Sequence, residues 1–400
     1  MKIIAVSLFY KPIWPGFGTR FAQHVIDECT AIGNDVTLFT GRIPKEMQDN
    51  EKLKLKKVTE NIEKGTIEIN RIWTPALDHE GISKRIITYL IFVAQCFFKI
   101  LFSRNVDLII GLHPYPPFLI SLMILTKIKK IKFVMTQADL WPDNIYELGI
   151  VKNSLAFSFI RKISIWAFNL IDIIIVITDE LKDGMKKYPV NQSKIHVLKL
   201  AANTQIFKRI EQVTKFYNNK FVVMYSGIFS PNYDFDIILR SAALLSNKDI
   251  LFVISGAGEL KNHIKNGIST KKLSNIIMEE PVKDLNDLVQ KLNNADILLL
   301  GMHDNNQANT AHPSKLFEFM ACGKPILASA KGAVRKILND SKAGIYVDPG
   351  DSTAFTEAIM KLYNSPEQRK ILGENGLNYV KNFHSMQVFR QNLAKILEIN

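Results

Sequence analysis

The chain has 400 residues, more than one ordinary core accommodates and enough for two domains of about 200 residues each. With 47% hydrophobic and 22% charged residues, 20 Gly and 15 Pro, it reads as globular, which excludes collagen-like, low-complexity and mostly disordered classes. A net charge of +13 points to an anionic partner: nucleic acid, a phosphorylated substrate or an anionic membrane surface. Residues 1–210 hold 29 Lys and Arg against 19 Asp and Glu, an excess of +10, whereas residues 211–400 hold 22 against 19. The excess therefore belongs to the N-terminal half. Cys29, Cys96 and Cys322 lie far apart, giving neither a disulfide framework nor a CxxC metal clip, as suits a reducing cytosol.

In chain order, MKIIAVSLFYKP has a short apolar run with no small-residue cleavage site after it, so it reads as a buried first strand rather than a signal peptide. Strands are expected at Ile3–Phe9, Asp35–Thr40, Thr66–Trp73, Asp107–Leu112, Lys132–Thr136, Ile171–Ile177 and Ile195–Leu200. Several are continuously hydrophobic, as parallel strands covered on both faces are. Helices fit at Arg20–Ile32, Pro117–Lys129 and Ser154–Leu170, and the lysine-rich stretch Glu51–Lys64 reads as a solvated loop or helix. Ile86–Phe102 is the most apolar segment, yet Gln95 and Lys99 interrupt it and it falls short of the ~20 residues of a bilayer span. With Lys84 and Arg85 before it and Arg104 after it, it reads equally as a helix dipping into the membrane interface or as a core helix.

Polar Asn203–Lys220 lacks apolar periodicity and reads as a linker, after which the pattern restarts. Strands are expected at Phe221–Ser226, Ile250–Ser255, Asn275–Met278, Asp296–Gly301 and Pro325–Ser329. Helices fit at Asp234–Ser246, Glu259–Lys265, Leu285–Asn293 and Lys315–Cys322, followed by three more at Thr353–Tyr363, Pro366–Val380 and Met386–Leu397. Two such arrays predict two doubly wound domains: residues 1–203, residues 204–382, and a terminal helix in 383–400 able to cross back to the first.

The candidate site residues cluster where strands end. Gly16 and Gly18, in WPGFGT after the first strand, serve equally as turn formers or as a close backbone approach to an anion. The spacing is not GxGxxG, so a dinucleotide fingerprint is unsupported. Ser226-Gly227 and the turn Ser255-Gly256-Ala257-Gly258-Glu259 lie at further strand ends, where open α/β sheets bind ligands. The most specific run is His312 to Pro325, HPSKLFEFMACGKP. Pro313 and Ser314 set a helix start, Lys315 adds a cation, and Glu318 follows on the same face. A cation for phosphate and a carboxylate for vicinal hydroxyls thus converge, as a nucleoside diphosphate requires; the plainer alternative is a surface ion pair worth ~0.3 kcal/mol.

That run, with PGFGTR, Ala138-Asp139-Leu140-Trp141-Pro142-Asp143, the SGAGE turn and Gly344–Asp351, resembles the GT-B glycosyltransferases of family 4 over nearly the whole chain. The similarity is greatest to the branch with O-antigen and capsule fucosamine-type transferases. It implies an α/β fold of GT-B type, two doubly wound Rossmann-like domains facing each other across a cleft. It implies that Glu318 binds the donor ribose, that Gly227, Gly256, Gly258 and Glu259 line the nucleotide pocket beside Pro313, and that Ser314 and Lys315 face the diphosphate. Gly16 and Gly18 would lie on the sugar or acceptor side. The chain departs from the family pattern at Thr310, where a first Glu is usual, and at Gly227-Ile228-Phe229, where basic residues are usual.

Asp139 stands where a carboxylate can orient or activate an acceptor hydroxyl, or else cap a helix. Asp143 and His113 are lesser acceptor-side candidates, and Trp14, Tyr115 and Trp141 offer aromatic faces for sugar or core. No DxD-type pair ends a strand, so no metal and no cofactor are expected. The resulting expectation is a retaining, cytoplasmic transferase moving a sugar from a UDP-linked donor to a lipid-linked or saccharide acceptor. It would touch an anionic membrane peripherally and would not bind nucleic acid. A GT-B-type nucleotide-sugar 2-epimerase and a non-enzymatic membrane-associated protein are the alternatives.

Overall fold

A computed structural model describes residues 1–10, 19–41, 57–74, 82–112, 119–147, 151–213, 216–282 and 284–399. The chain forms two compact units: Met1–Lys199 with Phe389–Asn400, and Leu200–Val388.

The first unit runs β1 (Lys2–Val6), α1 (Thr19–Ala31), β2 (Asp35–Gly41), β3 (Lys57–Ile62), β4 (Gly65–Ile72), α2 (Ile82–Leu101) and β5 (Leu108–Gly111). It continues with α3 (Ile120–Lys129), β6 (Lys132–Gln137), α4 (Asp143–Glu147), α5 (Ser154–Leu170), β7 (Ile173–Val176), α6 (Asp179–Met185) and β8 (Ile195–Val197). The sheet order is β3-β4-β2-β1-β5-β6-β7-β8, parallel throughout except for the antiparallel edge strand β3. Fully buried runs such as Ile109-Ile110 and Ile174-Ile175-Val176 explain the unbroken hydrophobicity: helices cover both faces of these strands.

The second unit runs β9 (Phe221–Ser226), α7 (Phe235–Leu244), β10 (Ile250–Ser255), α8 (Lys261–Thr270), β11 (Ile276–Glu279), α9 (Leu285–Asn294) and β12 (Ile297–Gly301). Then come α10 (Asn306–Thr310), α11 (Ser314–Ala321), β13 (Ile326–Ser329), α12 (Gly332–Ser341), β14 (Gly344–Val347), α13 (Ser352–Asn364) and α14 (Pro366–Phe383), before α15 (Met386–Leu397). Its all-parallel order, β11-β10-β9-β12-β13-β14, is the 3-2-1-4-5-6 arrangement of a Rossmann sheet. Strand order reverses direction between β9 and β12, and the crevice beyond their carboxyl ends is where this topology binds ligands.

The short helices α4, α6 and α10, together with α12 and β14, stand where the sequence reading placed no element, and two segments differ from it in kind. Part of the lysine-rich stretch is β3, an edge strand whose residues alternate between exposed and half-buried, with Lys57 paired to Glu68 at 2.6 Å. Charged residues suit an edge that must not pair further. Asn203–Lys220 is not a free linker: Phe207 and Tyr217 are buried in the second core, and the Asn293 side chain binds Ile210 N–H and Lys208 C=O at 2.9 and 3.0 Å. The segment is tied down by two buried aromatic residues and by a side chain from α9, neither of which hydropathy alone reveals.

The last helix belongs to the first unit. Arg390 on α15 binds both oxygens of Glu63 at 2.9 and 2.7 Å and also pairs with Glu28 on α1, while Phe389 meets Phe21 edge-on. All three cysteines are free and buried, and burial pushes the thiols of Cys29 and Cys322 up to about 12. They are thus held as inert core residues.

Candidate functional site

In the second unit, the turn after β9 and the turn after β10 interlock through backbone. Gly227 N–H donates to Ser255 C=O at 3.0 Å, and Phe229 N–H donates to Ala257 C=O at 2.8 Å. Gly227 and Gly256 take φ of +147° and +154°, and a Cβ on Gly256 would collide with the Gly227 carbonyl. Gly258 packs against the Phe229 backbone in the same way, and Glu259 is exposed at the turn that leads into α8. These glycines therefore let two strand ends close on each other as a single rigid rim.

Lys315, in the first turn of α11, reaches across to that rim. Its Nζ lies where a side chain on Gly227 would have to go. It donates to the Tyr225 hydroxyl at 2.8 Å, and that hydroxyl donates to Ile228 C=O at 2.7 Å. The ammonium also sits over two rings, 4.4 Å from the centroid of Tyr225 and 4.0 Å from that of Tyr233. Burial pushes the Tyr225 hydroxyl well above its ordinary value and that of Tyr233 up to about 12. Both phenols are therefore neutral, and their rings stabilise the cation through their faces. Tyr233 is bridged to Met302 just past β12, so Tyr225 and Tyr233 bring Lys315 to the point where strand order reverses.

Pro313 precedes α11 and supplies no side-chain cap, so the amide groups of the first turn, from Ser314 onward, are not claimed by a capping side chain. Glu318 stands one turn along and is only 6% exposed, among the buried Leu316, Phe317 and Phe319. A carboxylate buried to this extent needs partners for its charge, which sets Glu318 apart from the apolar residues around it in sequence. Phe317 fixes the helix from behind by stacking on His384, 3.9 Å between centroids. Thr310 is exposed, and its hydroxyl donates to Asn306 C=O at 2.9 Å, so this position offers a neutral group already engaged in α10.

In the first unit, Asp139 follows β6. Its side chain keeps solvent contact, yet surrounding protein desolvates it enough to hold the carboxyl above the usual carboxylate range. It does not cap α4, which begins four residues later. Asp143 is half-buried and paired with Lys187, an ion pair internal to this unit. The Trp141 indole is buried and donates its N–H to Ser164 at 2.8 Å, so its ring is core and not a sugar platform. Gly16, Gly18, His113, Trp14 and Tyr115 lie outside the described residues. Among the described residues no cluster of three His, Cys, Asp or Glu could hold a metal ion.

The structure thus gathers Gly227, Gly256, Gly258, Pro313, Ser314, Lys315 and Glu318 in one unit, and adds Tyr225 and Tyr233. The sequence reading missed both tyrosines because Tyr225 looks like an ordinary core residue of β9, 90 positions from the lysine it holds.

Residues 18–205 match glycosyltransferase family 4, and residues 206–379 match the glycosyl transferases group 1 family. The chain belongs to the family 4 GT-B glycosyltransferases. It is 24% identical over 297 residues to an uncharacterized glycosyltransferase of Methanocaldococcus jannaschii, covering 74% of this chain and 77% of that one. It is also 24% identical over 190 residues to the capsular polysaccharide biosynthesis glycosyltransferase CapM of Staphylococcus aureus, covering 46% and 48% of the two chains. HepE of Anabaena, solved in complex with UDP-glucose, superposes with a TM-score of 0.70 over 100% of this chain and 99% of that one, at 15% identity. This family 4 chain is a glycosyltransferase of two parallel-sheet Rossmann-like domains.

Proposed function

We propose that this glycosyltransferase moves a hexosyl or acetamidosugar group from a UDP-linked donor to a lipid-linked or saccharide acceptor, with retention, in surface polysaccharide synthesis of the O-antigen or capsule kind. The observation that carries the donor assignment is the Lys315 ammonium seated between Tyr225, Tyr233 and Gly227 at the reversal point of the second sheet. The likeness to HepE, which binds UDP-glucose, supports the choice of UDP, and the likeness to CapM supports the polysaccharide role.

In this reading residues 204–382 bind the donor and residues 1–203 the acceptor. Glu318 accepts hydrogen bonds from the ribose hydroxyls, and Gly227, Gly256, Gly258, Glu259 and Pro313 shape the nucleotide pocket. As the sugar leaves, charge accumulates on the diphosphate. Lys315 and the first amide groups of α11, including that of Ser314, stabilise that charge without reorganising, and this is the main catalytic term. With Thr310 in place of a carboxylate, Lys315 bears more of this task. Asp139, its proton affinity raised by desolvation, orients the acceptor hydroxyl and takes its proton. Gly16, Gly18, His113 and Asp143 are assigned to recognition of the sugar or acceptor. The enzyme works at the cytoplasmic face of an anionic membrane, where a lipid-linked acceptor is presented.

The test is Glu318→Ala assayed with UDP-sugars. Donor KM rises or transfer is lost; unchanged donor binding overturns the assignment. Products formed from donor alone would instead reveal an epimerase.

A further inference from the structure

Helices α2, α3 and α5 lie side by side on one face of the first sheet. Each buries one stripe against the strands: Phe92, Val93, Cys96 and Ile100 on α2, Leu122 and Met123 on α3, Ala167 and Phe168 on α5. Their opposite stripes are apolar too. On α2, Ile87, Leu90 and Phe98 are exposed, Phe98 to 60%, and Phe102 follows at 78%. Ile124 and Ile128 continue the surface on α3, and Leu155, Phe159 and Trp166, at spacings of four and seven residues, continue it on α5. Of the nineteen large hydrophobic residues exposed among the described residues, eleven lie in this layer or at its Phe102 end. In the second unit such residues number five and occur singly, as on ordinary surfaces.

Charge selects the occupant. The three helices carry seven Lys and Arg and no Asp or Glu. Lys127 is paired with Asp172 at the rim, whereas Lys99, Lys162, Lys130, Lys152 and Arg104 are exposed within or beside the layer. A second copy of the chain would bring like charges together, with no carboxylate on these helices to pair them. An anionic bilayer satisfies both the apolar stripes and the cations. No helix among the described residues is long and apolar enough to cross a membrane, so the layer would lie in the interface.

We infer that the exposed face of α2, α3 and α5 is the surface by which the protein docks on anionic lipid. The inference rests on the membrane contact proposed above and names where that contact is made. The test is flotation of the full chain with vesicles of phosphatidylglycerol and phosphatidylcholine, and with phosphatidylcholine alone. The chain floats with the anionic vesicles, and added salt weakens the association. Leu90→Glu, Phe98→Glu, Leu155→Glu and Phe159→Glu combined lower the bound fraction at least tenfold. Lys99→Glu with Lys162→Glu, which leaves the apolar stripes intact, lowers it several-fold on anionic vesicles only. Leu244→Glu with Phe383→Glu, exposed sites of the second unit, floats as wild type does.

Flotation unaffected by these layer substitutions, or absent from wild type, overturns the inference. So does a dimer in sedimentation that the fourfold variant dissolves, since the face would then be covered by a second copy. UDP-induced thermal stabilisation is read on every variant. A chain that floats but does not respond to UDP overturns the donor reading and leaves the docking surface standing.

Discussion

Lys315 illustrates how one residue is specified by several weak features. Its amine needs Gly227 for space, Tyr225 for a hydrogen bond and two rings for its charge. Lys315→Met keeps an apolar stem in the aromatic nest and removes the cation. Stability should fall by only about 1 kcal/mol, the net worth of the lost hydrogen bond, while kcat/KM falls roughly 100-fold, about 2.7 kcal/mol of lost transition-state stabilisation. Steady-state kinetics beside thermal unfolding separates the two effects. Gly227→Ala acts differently, displacing the amine and straining a backbone at φ +147°; it should cost about 1–3 kcal/mol of stability as well as donor affinity. A second titratable residue has consequences for pH. Burial, aided by Arg20, lowers the His24 imidazole to about 4. The native state thus refuses a proton that the unfolded chain accepts below about 6.5, so His24 causes stability to fall as pH drops from 6.5 to 4. His24→Gln should flatten that part of a Tm-against-pH curve; an identical slope in both proteins would contradict it.

At the scale of elements, α15 shows a long-range tie that a single sequence hides. Glu28 is nearly buried on α1, and Arg390 compensates it from 362 residues away while also binding Glu63 in the β3–β4 turn. Arg390→Ala leaves a buried carboxylate unpaired and should lower stability by about 3 kcal/mol. Adding Glu28→Gln should recover part of the loss, a coupling that a double-mutant cycle in urea measures. The alternating βα pattern and the helix start in HPSKLFEF were legible because period and local chemistry carry them. Edge strand β3 was not, since Lys57, Glu60 and neighbouring charges mask its weak alternation. Nor were Tyr225, Tyr233 and Arg390, whose importance lies wholly in partners from other elements. The glycine turns were found in the right places, but what Gly256 approaches is the Gly227 carbonyl, a packing fact that no spacing encodes.

For the whole molecule, the two units have separate hydrophobic cores, and the groups gathered around Lys315 all come from Leu200–Val388. The basic excess and the exposed apolar helix layer fall instead in the first unit. The proposed donor chemistry and the proposed surface attachment thus fall in different bodies of one chain. A ligand stabilises only the structure it binds, by about 2.7 kcal/mol at a hundredfold excess over its Kd. UDP should therefore raise the unfolding midpoint of the second unit by roughly 5–10 °C, given the usual entropy of a unit this size. Amide exchange should slow within Leu200–Val388, most in the turns after β9 and β10 and in the first turn of α11, while the cores of β5, β6 and β7 exchange as before. Equal protection of both units would mean that nucleotide binding is communicated through the whole chain, and the division of labour between the two bodies would have to be abandoned.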